Sequence, residues 1–147
     1  MIKFILIVNK LGQTRLAQYY TTGLSINKRV ALENEITRRC LSRKDKECSF
    51  LEFRDLKVIY RRYASLFFLV GVDEEENELG ILEFIHCLVE TLDRYFENVC
   101  ELDLMFNIDK AYMILDEMAL NGNIIETNKK NIIAPLHIID QVSKKLK

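Results

Sequence analysis

The stretch Phe53–Asp73, FRDLKVIYRRYASLFFLVGVD, constrains the fold more than any other part of the chain. Two runs of β-branched and aromatic residues meet there at the basic pair Arg61-Arg62, with no glycine or proline between them. This pattern predicts a β-hairpin that bends at the arginines. The second run, from Leu66 to Val72, is apolar almost without interruption, as is typical of a strand covered on both faces. We therefore expect this strand to lie inside a sheet with helices on both sides.

Length, charge and cysteine content narrow the class of protein. The 147 residues suit one domain, and the net charge of -1 gives no reason to expect nucleic-acid binding. The apolar run Phe4–Val8 is too short for a membrane span or a secretory signal. Four cysteines stand apart without a CxxC pair, which indicates reduced thiols: Cys40, Cys48, Cys87 and Cys100. We therefore expect a single soluble domain in the cytoplasm.

Before the hairpin, alternating and helical patterns predict three strands and one helix. These elements are the strands Ile2–Val8, Arg15–Tyr20 and Ser49–Phe53 and a helix of about Asn27–Leu41. Gly12 is expected to take a positive φ in the turn that joins the first two strands. Ser25 is the expected N-cap of the helix, and the charged segment Ser42–Glu47 is expected to form a loop.

After the hairpin, the spacing of apolar residues predicts helices. The longest carries an apolar stripe from Ile81 to Val99, and a break at Cys100–Asn107 follows it. The next helix, Ile108–Leu120, is expected to end at the capping signal Asn121-Gly122-Asn123. A last helix of about Ile132–Leu146 would hold Pro135 in its first turn. The chain is thus predicted to be an α+β domain, a five-stranded antiparallel sheet with helices on both faces.

Residues that could carry catalysis are few and poorly arranged. His86 and His137 each fall on a predicted helix near apolar neighbours, which favours structural roles. His86 and Cys87 are adjacent in the helix, so their side chains do not face each other. No nucleotide, metal or nucleophile motif occurs, and the paired acids, such as Asp116-Glu117 and Glu101 with Asp103, suit a helix surface or a cap. The pattern favours a binding module with no enzymatic activity and no cofactor.

Several stretches carry a resemblance to a known family. They are MIKFILIVNKLGQTRLAQYY, FLEFRDLKVIYRRYASLFFLVGVDEEENEL, EFIHCLVETLDRYFENVCELDLMFN and DKAYMILDEMALNG. Together they resemble the small (sigma) subunits of the heterotetrameric adaptor-protein complexes of vesicle coats. The segment LNGNIIETNKKNIIAPLHIID resembles the sigma subunit of the fourth adaptor complex more than the others. The resemblance implies a longin-like fold, with residues 1–147 as one sigma domain and a C-terminal helical extension over about 123–147.

The resemblance also implies a function and a set of partners. It implies a non-enzymatic subunit that stabilises the trunk of a large adaptin and helps sort transmembrane cargo with acidic dileucine signals at the trans-Golgi network. The expected partners are a large adaptin as a direct and obligate partner, a second large adaptin, the medium mu subunit, cargo tail peptides and an Arf-type GTPase reached through the complex. The chain would be cytoplasmic and peripheral on trans-Golgi network or endosomal membranes, which it would contact only through the complex.

A second hypothesis is a free-standing longin-like regulator of a SNARE or a small GTPase. That function would need a following coiled-coil or membrane segment, or a paired longin partner.

Carried over position by position, the resemblance implies a cargo pocket. Its apolar walls for the two leucines would be Ala64, Leu66, Val89, Val99 and Leu104, and Asn98 would be a polar contact. Arg15, beside a basic residue of the large subunit, would bind the upstream acid. If Val89 and Val99 shared one helix they would stand roughly 80° apart, so both could border one groove. From residue types alone, these apolar positions are more simply interpreted as core. Only the resemblance assigns them to a pocket.

Overall fold

The computed structural model describes residues 1–43 and 49–146. The strands are β1 Ile2–Asn9, β2 Thr14–Tyr19, β3 Phe50–Phe53, β4 Leu56–Tyr63, β5 Leu66–Asp73, β6 Ala119–Leu120 and β7 Asn123–Ile124. The helices are α1 Ile26–Leu41, α2 Glu78–Phe96, α3 Glu101–Phe106, α4 Ile108–Met118 and α5 Lys129–Lys145. Residues 44–47 of the predicted charged loop lie outside the described residues. None of the helices in the described ranges combines the length and apolar character needed to cross a bilayer.

The predicted five-stranded antiparallel sheet is confirmed, with strand order β2-β1-β5-β4-β3. Strand β5 lies at its centre, between β1 and β4. Its residues Phe68, Leu69 and Val70 are fully buried, as the uninterrupted apolar run predicts. The uninterrupted apolar strand therefore occupies the centre of the sheet.

The two faces of the sheet form two separate cores, because side chains alternate along each strand. Ile5 and Ile7 of β1 contribute to the larger core, which also contains apolar side chains of α2, α4 and α5. Leu6 and Val8 contribute to the smaller core, which contains Ile36 and Cys40 of α1. The prediction of helices on both faces is confirmed.

Gly71 leaves room for an aromatic ring in the smaller core. A Cβ atom at this position would lie 2.2 Å from Cε1 of Phe4, whose ring is buried. Strand β1 pairs Phe4 with Gly71, and its register to β5 shifts between Ile2 and Phe4. The shift is a β-bulge that lets Ile2 enter the larger core while Phe4 enters the smaller one.

The central hairpin does not bend at the arginine pair, contrary to our expectation. Arg61 and Arg62 lie within β4 and pair with Phe68 and Phe67. The turn falls instead at Ala64-Ser65, where Ala64 takes a positive φ of 53°. The left-handed residue closes a two-residue turn, so both arginines remain exposed on a regular strand.

The prediction that the longest helix continues to Val99 is wrong. Helix α2 ends at Phe96 because Glu97 and Asn98 take left-handed φ values of 55° and 76°. Val99 therefore does not share a helix with Val89. The expected break at Cys100–Asn107 contains α3, where the Asp103 carboxylate accepts a hydrogen bond from the Cys100 N–H at 2.9 Å.

Two predictions near the C-terminus are also corrected. Asn121 and Gly122, with φ values of 51° and 85°, form the turn of the small β6–β7 hairpin rather than a helix cap. Helix α5 begins earlier than expected, because the Asn128 side chain caps it by accepting from the Lys130 N–H at 3.0 Å. Pro135 consequently lies inside the helix, beyond its first turn.

Candidate functional site

The residues predicted to form the cargo pocket gather at one end of the sheet. Leu66 at the start of β5 pairs with Asn9 at the end of β1 and with Tyr63 at the end of β4. Arg15 stands at the start of β2, next to the residue that pairs with Val8. Ala64 forms the turn between β4 and β5. The register thus brings Arg15, Leu66 and Ala64 to the same end of the sheet although they come from different strands.

The remaining candidates lie on α2 or on the segment Glu97–Phe106, here called the α3 segment. Val89 lies on α2, while Asn98, Val99 and Leu104 lie on the α3 segment. Leu66, Val89, Val99 and Leu104 all belong to the larger core. The structure therefore brings the four apolar positions together in one cluster.

Asp93 of α2 fixes the beginning of the α3 segment. One carboxylate oxygen accepts a hydrogen bond from the Val99 N–H at 2.8 Å, and the other accepts from the Tyr63 hydroxyl at 2.5 Å. This hydrogen bond to Asp93 raises the pKa of the Tyr63 phenol. A single carboxylate thus connects the end of β4, beside Ala64, with Val99.

Glu101 fixes the middle of the same segment. Its Oε1 atom accepts from the Asn9 side-chain amide at 2.7 Å and from Nε of Arg15 at 2.7 Å. These hydrogen bonds lower the pKa of the Glu101 carboxyl, and the one from Asn9 has the larger effect, followed by the one from Arg15. Arg15 also donates to Oε1 of Gln13 at 3.0 Å. Arg15, which was predicted to bind the acidic residue of a cargo signal, is therefore already paired with an acidic residue of its own chain.

The Asn9 side chain is held in position by further hydrogen bonds. It is one of the few buried polar residues, and its Oδ1 atom accepts from the Leu11 and Gln13 N–H groups in the β1–β2 turn. Its amide nitrogen donates both to Gln13 and to Glu101. Because the turn holds this donor in place, the position of the Glu101 carboxylate is well defined.

The four apolar candidates are buried. Leu66, Val89, Val99 and Leu104 have exposed fractions of 0, 8, 4 and 1%. Ala64 and Asn98 are exposed, and both have a positive φ. The four apolar side chains are thus covered by other parts of the chain in this arrangement.

Sequence reasoning missed three residues of this site: Asp93, Glu101 and Asn9. Asp93 looks like any acid on the polar face of a helix, and the hydrogen bonds of Glu101 to Arg15 and Asn9 cross 86 and 92 positions. The signal available in the sequence was Asn9, a polar residue directly after the apolar run of β1. A polar residue there needs partners, and the sequence does not say which.

An open groove elsewhere on the molecule contains none of the predicted site residues. It has a volume of about 580 Å³ and lies between the end of α2, the start of α4 and α5, where the Tyr95 hydroxyl donates to Asp140 at 2.8 Å. Within the described ranges no group of three or more His, Cys, Asp or Glu side chains is placed to hold a metal ion.

The fold and the sequence together identify the class of protein. A family model described as the clathrin adaptor complex small chain matches residues 1–143, and the chain belongs to this family. The resemblance to adaptor sigma subunits is confirmed, as are the longin-like fold and the absence of enzymatic activity, which are properties of the family.

The chain is similar to sigma subunits of named adaptor complexes. The chain is 61% identical to the AP-4 complex subunit sigma of Arabidopsis thaliana, over 95% of this chain and 97% of the relative. It is 58% identical to the human AP-4 complex subunit sigma-1, over 98% of this chain and 99% of the relative. A chain in a homology model of the full-length AP-3 complex in a stretched open conformation is 34% identical, with a TM-score of 0.76, and covers 99% of this chain and 97% of that one.

Proposed function

We propose that this chain is the small subunit of an AP-4-type adaptor complex and that it reads acidic dileucine signals in cargo tails. The observation that carries the proposal is that Arg15, Ala64 and Leu66 lie at the same end of the sheet, and that Leu66 shares the larger core with Val89, Val99 and Leu104. Burial of two leucine side chains contributes about 1.5–3 kcal/mol each, enough to dominate a weak peptide contact. The arginine adds orientation, because a partly exposed charge pair contributes at most about 1 kcal/mol.

The same proposal includes the partner subunits of the chain and the membranes on which it acts. As one sigma domain with a C-terminal helical extension, it would bind a large adaptin directly and stabilise its trunk. A second large adaptin and the mu subunit would complete the tetramer. An Arf-type GTPase would recruit the complex to trans-Golgi network or endosomal membranes. Support comes from the identity to AP-4 sigma subunits over nearly the whole chain. Affinity purification of the tagged chain, mass spectrometry of its partners and imaging against trans-Golgi and endosomal markers test this part.

The pocket is tested by substitutions in the assembled complex. Val89→Asp and Leu104→Ser should each abolish binding of a labelled Glu-x-x-x-Leu-Leu peptide, because a charge or a hydroxyl replaces an apolar wall. Val30→Asp is the matched control, since Val30 is an exposed valine of α1 on the opposite face of the sheet. It should leave peptide binding unchanged.

Co-purification with the large subunit must be measured for each variant, because Val89 and Leu104 are buried. Loss of peptide binding with intact assembly supports the pocket. If both variants assemble and bind the peptide as strongly as the wild type, the proposed pocket is contradicted.

A further inference from the structure

Arg15 has a carboxylate partner before any cargo arrives. Its Nε atom donates to Oε1 of Glu101 at 2.7 Å, and the side chains of the pair are 25 and 29% exposed. Both groups are therefore reached by solvent, so a carboxylate from outside can also reach the guanidinium.

The oxygen of Glu101 that faces Arg15 also accepts from Asn9. Asn9 is 5% exposed and held by the turn, so the carboxylate is oriented by a buried donor. Hydrogen bonds to the charged form lower the pKa of the Glu101 carboxyl still further below neutral pH. An anion is thus permanently available at the place where a cargo acid is proposed to bind.

We propose that Glu101 is an internal competitor for Arg15, which a cargo carboxylate must displace and which therefore sets how strongly the site prefers acidic dileucine signals. This inference rests on the proposed cargo function of the same site. Glu101 occupies the Nε donor of Arg15, and Gln13 occupies a donor on Nη2. A second carboxylate beside the same guanidinium would be repelled by the charge of Glu101, which favours exchange over sharing.

The exchange is connected to the apolar walls. Glu101 is the first residue of α3, and Val99 and Leu104 lie two residues before it and three after it. Release of Glu101 from Arg15 removes one contact between α3 and β2, while Asp93 still holds the Val99 N–H. The α3 segment would then be held by fewer contacts near Leu104, one of the proposed apolar walls.

The test measures acid preference in purified adaptor complexes that contain the chain. Two labelled peptides are titrated by fluorescence anisotropy, Glu-x-x-x-Leu-Leu and its counterpart with Gln in place of Glu. The acid preference is the Kd of the Gln peptide divided by that of the Glu peptide. Glu101→Gln keeps the shape and the hydrogen-bond acceptor but removes the rival charge. It should raise the acid preference on the order of fivefold.

Two further variants control the result. Arg15→Gln should bring the acid preference close to one whether residue 101 is Glu or Gln, because the shared partner is gone. Glu52→Gln changes the net charge equally at an exposed residue of β3, on the far edge of the sheet from β2. It should leave the acid preference as in the wild type.

The outcomes separate this inference from the proposed function. If Val89→Asp abolishes binding of both peptides but Glu101→Gln leaves the acid preference unchanged, the competition is refuted and the pocket stands. Equal tightening of both peptides by Glu101→Gln also refutes competition, since it reports a loosened α3 segment. If neither peptide binds any complex, the proposed cargo function falls and this inference falls with it.

Discussion

Strand β5 and the α3 segment both contribute to the larger core, but they are held in different ways. The side chains of β5 are buried in succession, and its backbone is paired on both edges by β1 and β4. Within α3 only Leu104 is buried, while Leu102, Met105 and Phe106 are exposed. The segment is held by two carboxylates, Asp93 at one end and Glu101 in the middle, and by the buried side chains of Val99 and Leu104.

This difference shows where the molecule can open. Moving β5 would expose two cores at once, whereas moving the α3 segment costs a few hydrogen bonds and the burial of two apolar side chains. Binding surfaces that change conformation are usually located in the less stable parts of a fold. The proposed cargo walls lie at the boundary between the two, with Leu66 on the rigid side and Leu104 on the movable side.

The largest expected effect comes from truncating the core of β5. Phe68→Ala should lower the free energy of unfolding by about 3–5 kcal/mol, because it removes a fully buried ring and leaves a cavity. Phe106→Ala, the same change at a ring that is 78% exposed, should change it by less than about 0.5 kcal/mol. Pulse proteolysis in increasing urea measures both. Similar losses in the free energy of unfolding for the two variants would show that the strand and the α3 segment contribute equally to stability.

A smaller effect is expected from filling the space at Gly71. Gly71→Ala should destabilise the chain by about 1–3 kcal/mol, because the new methyl group would meet the buried Phe4 ring. Gly80→Ala is the matched control in α2, where the nearest atom stands 3.8 Å from the new Cβ. It should stabilise the chain by about 0.5–1 kcal/mol. The same urea series reports both values, and a neutral Gly71→Ala would show that the smaller core is loosely packed.

The smallest effect on global stability is expected at the anchor of the α3 segment. Asp93→Asn replaces one of two accepting oxygens by an amide nitrogen, so either the Val99 N–H or the Tyr63 hydroxyl loses its acceptor. Amide hydrogen exchange in residues 99–106 should accelerate roughly tenfold while exchange in β5 stays unchanged. Asp55→Asn, at the exposed turn between β3 and β4, serves as the control. Acceleration in β5 as well would mean that the two regions open together.

The periodic parts of the fold could be predicted from the sequence, because burial leaves a pattern that the residues themselves carry. The unbroken apolar runs in β1 and β5 and the helical stripe of α2 each indicate surfaces that are buried in the fold. Ser25 was correctly expected to cap α1, since its hydroxyl accepts from the Lys28 N–H at 3.3 Å. Local chemistry was sufficient for these elements.

The missed elements are short or depend on distant partners. Helix α3 is too short to show a period, and its start depends on the side chain of Asp103. The β6–β7 hairpin did have a local signal, Asn121-Gly122, which favours a hairpin turn as strongly as a helix end. For the site, the resemblance supplied the candidates, but the pairing of Arg15 with Glu101 depends on the register of the whole sheet.

The position of β5 between β1 and β4 has a consequence for synthesis. Strand β1 is made first, yet one of its edges stays unpaired until β5, which begins at Leu66, has left the ribosome. At about 5–20 residues per second, the wait lasts several seconds. During that time the nascent chain carries an apolar strand with an open edge, a form prone to aggregation.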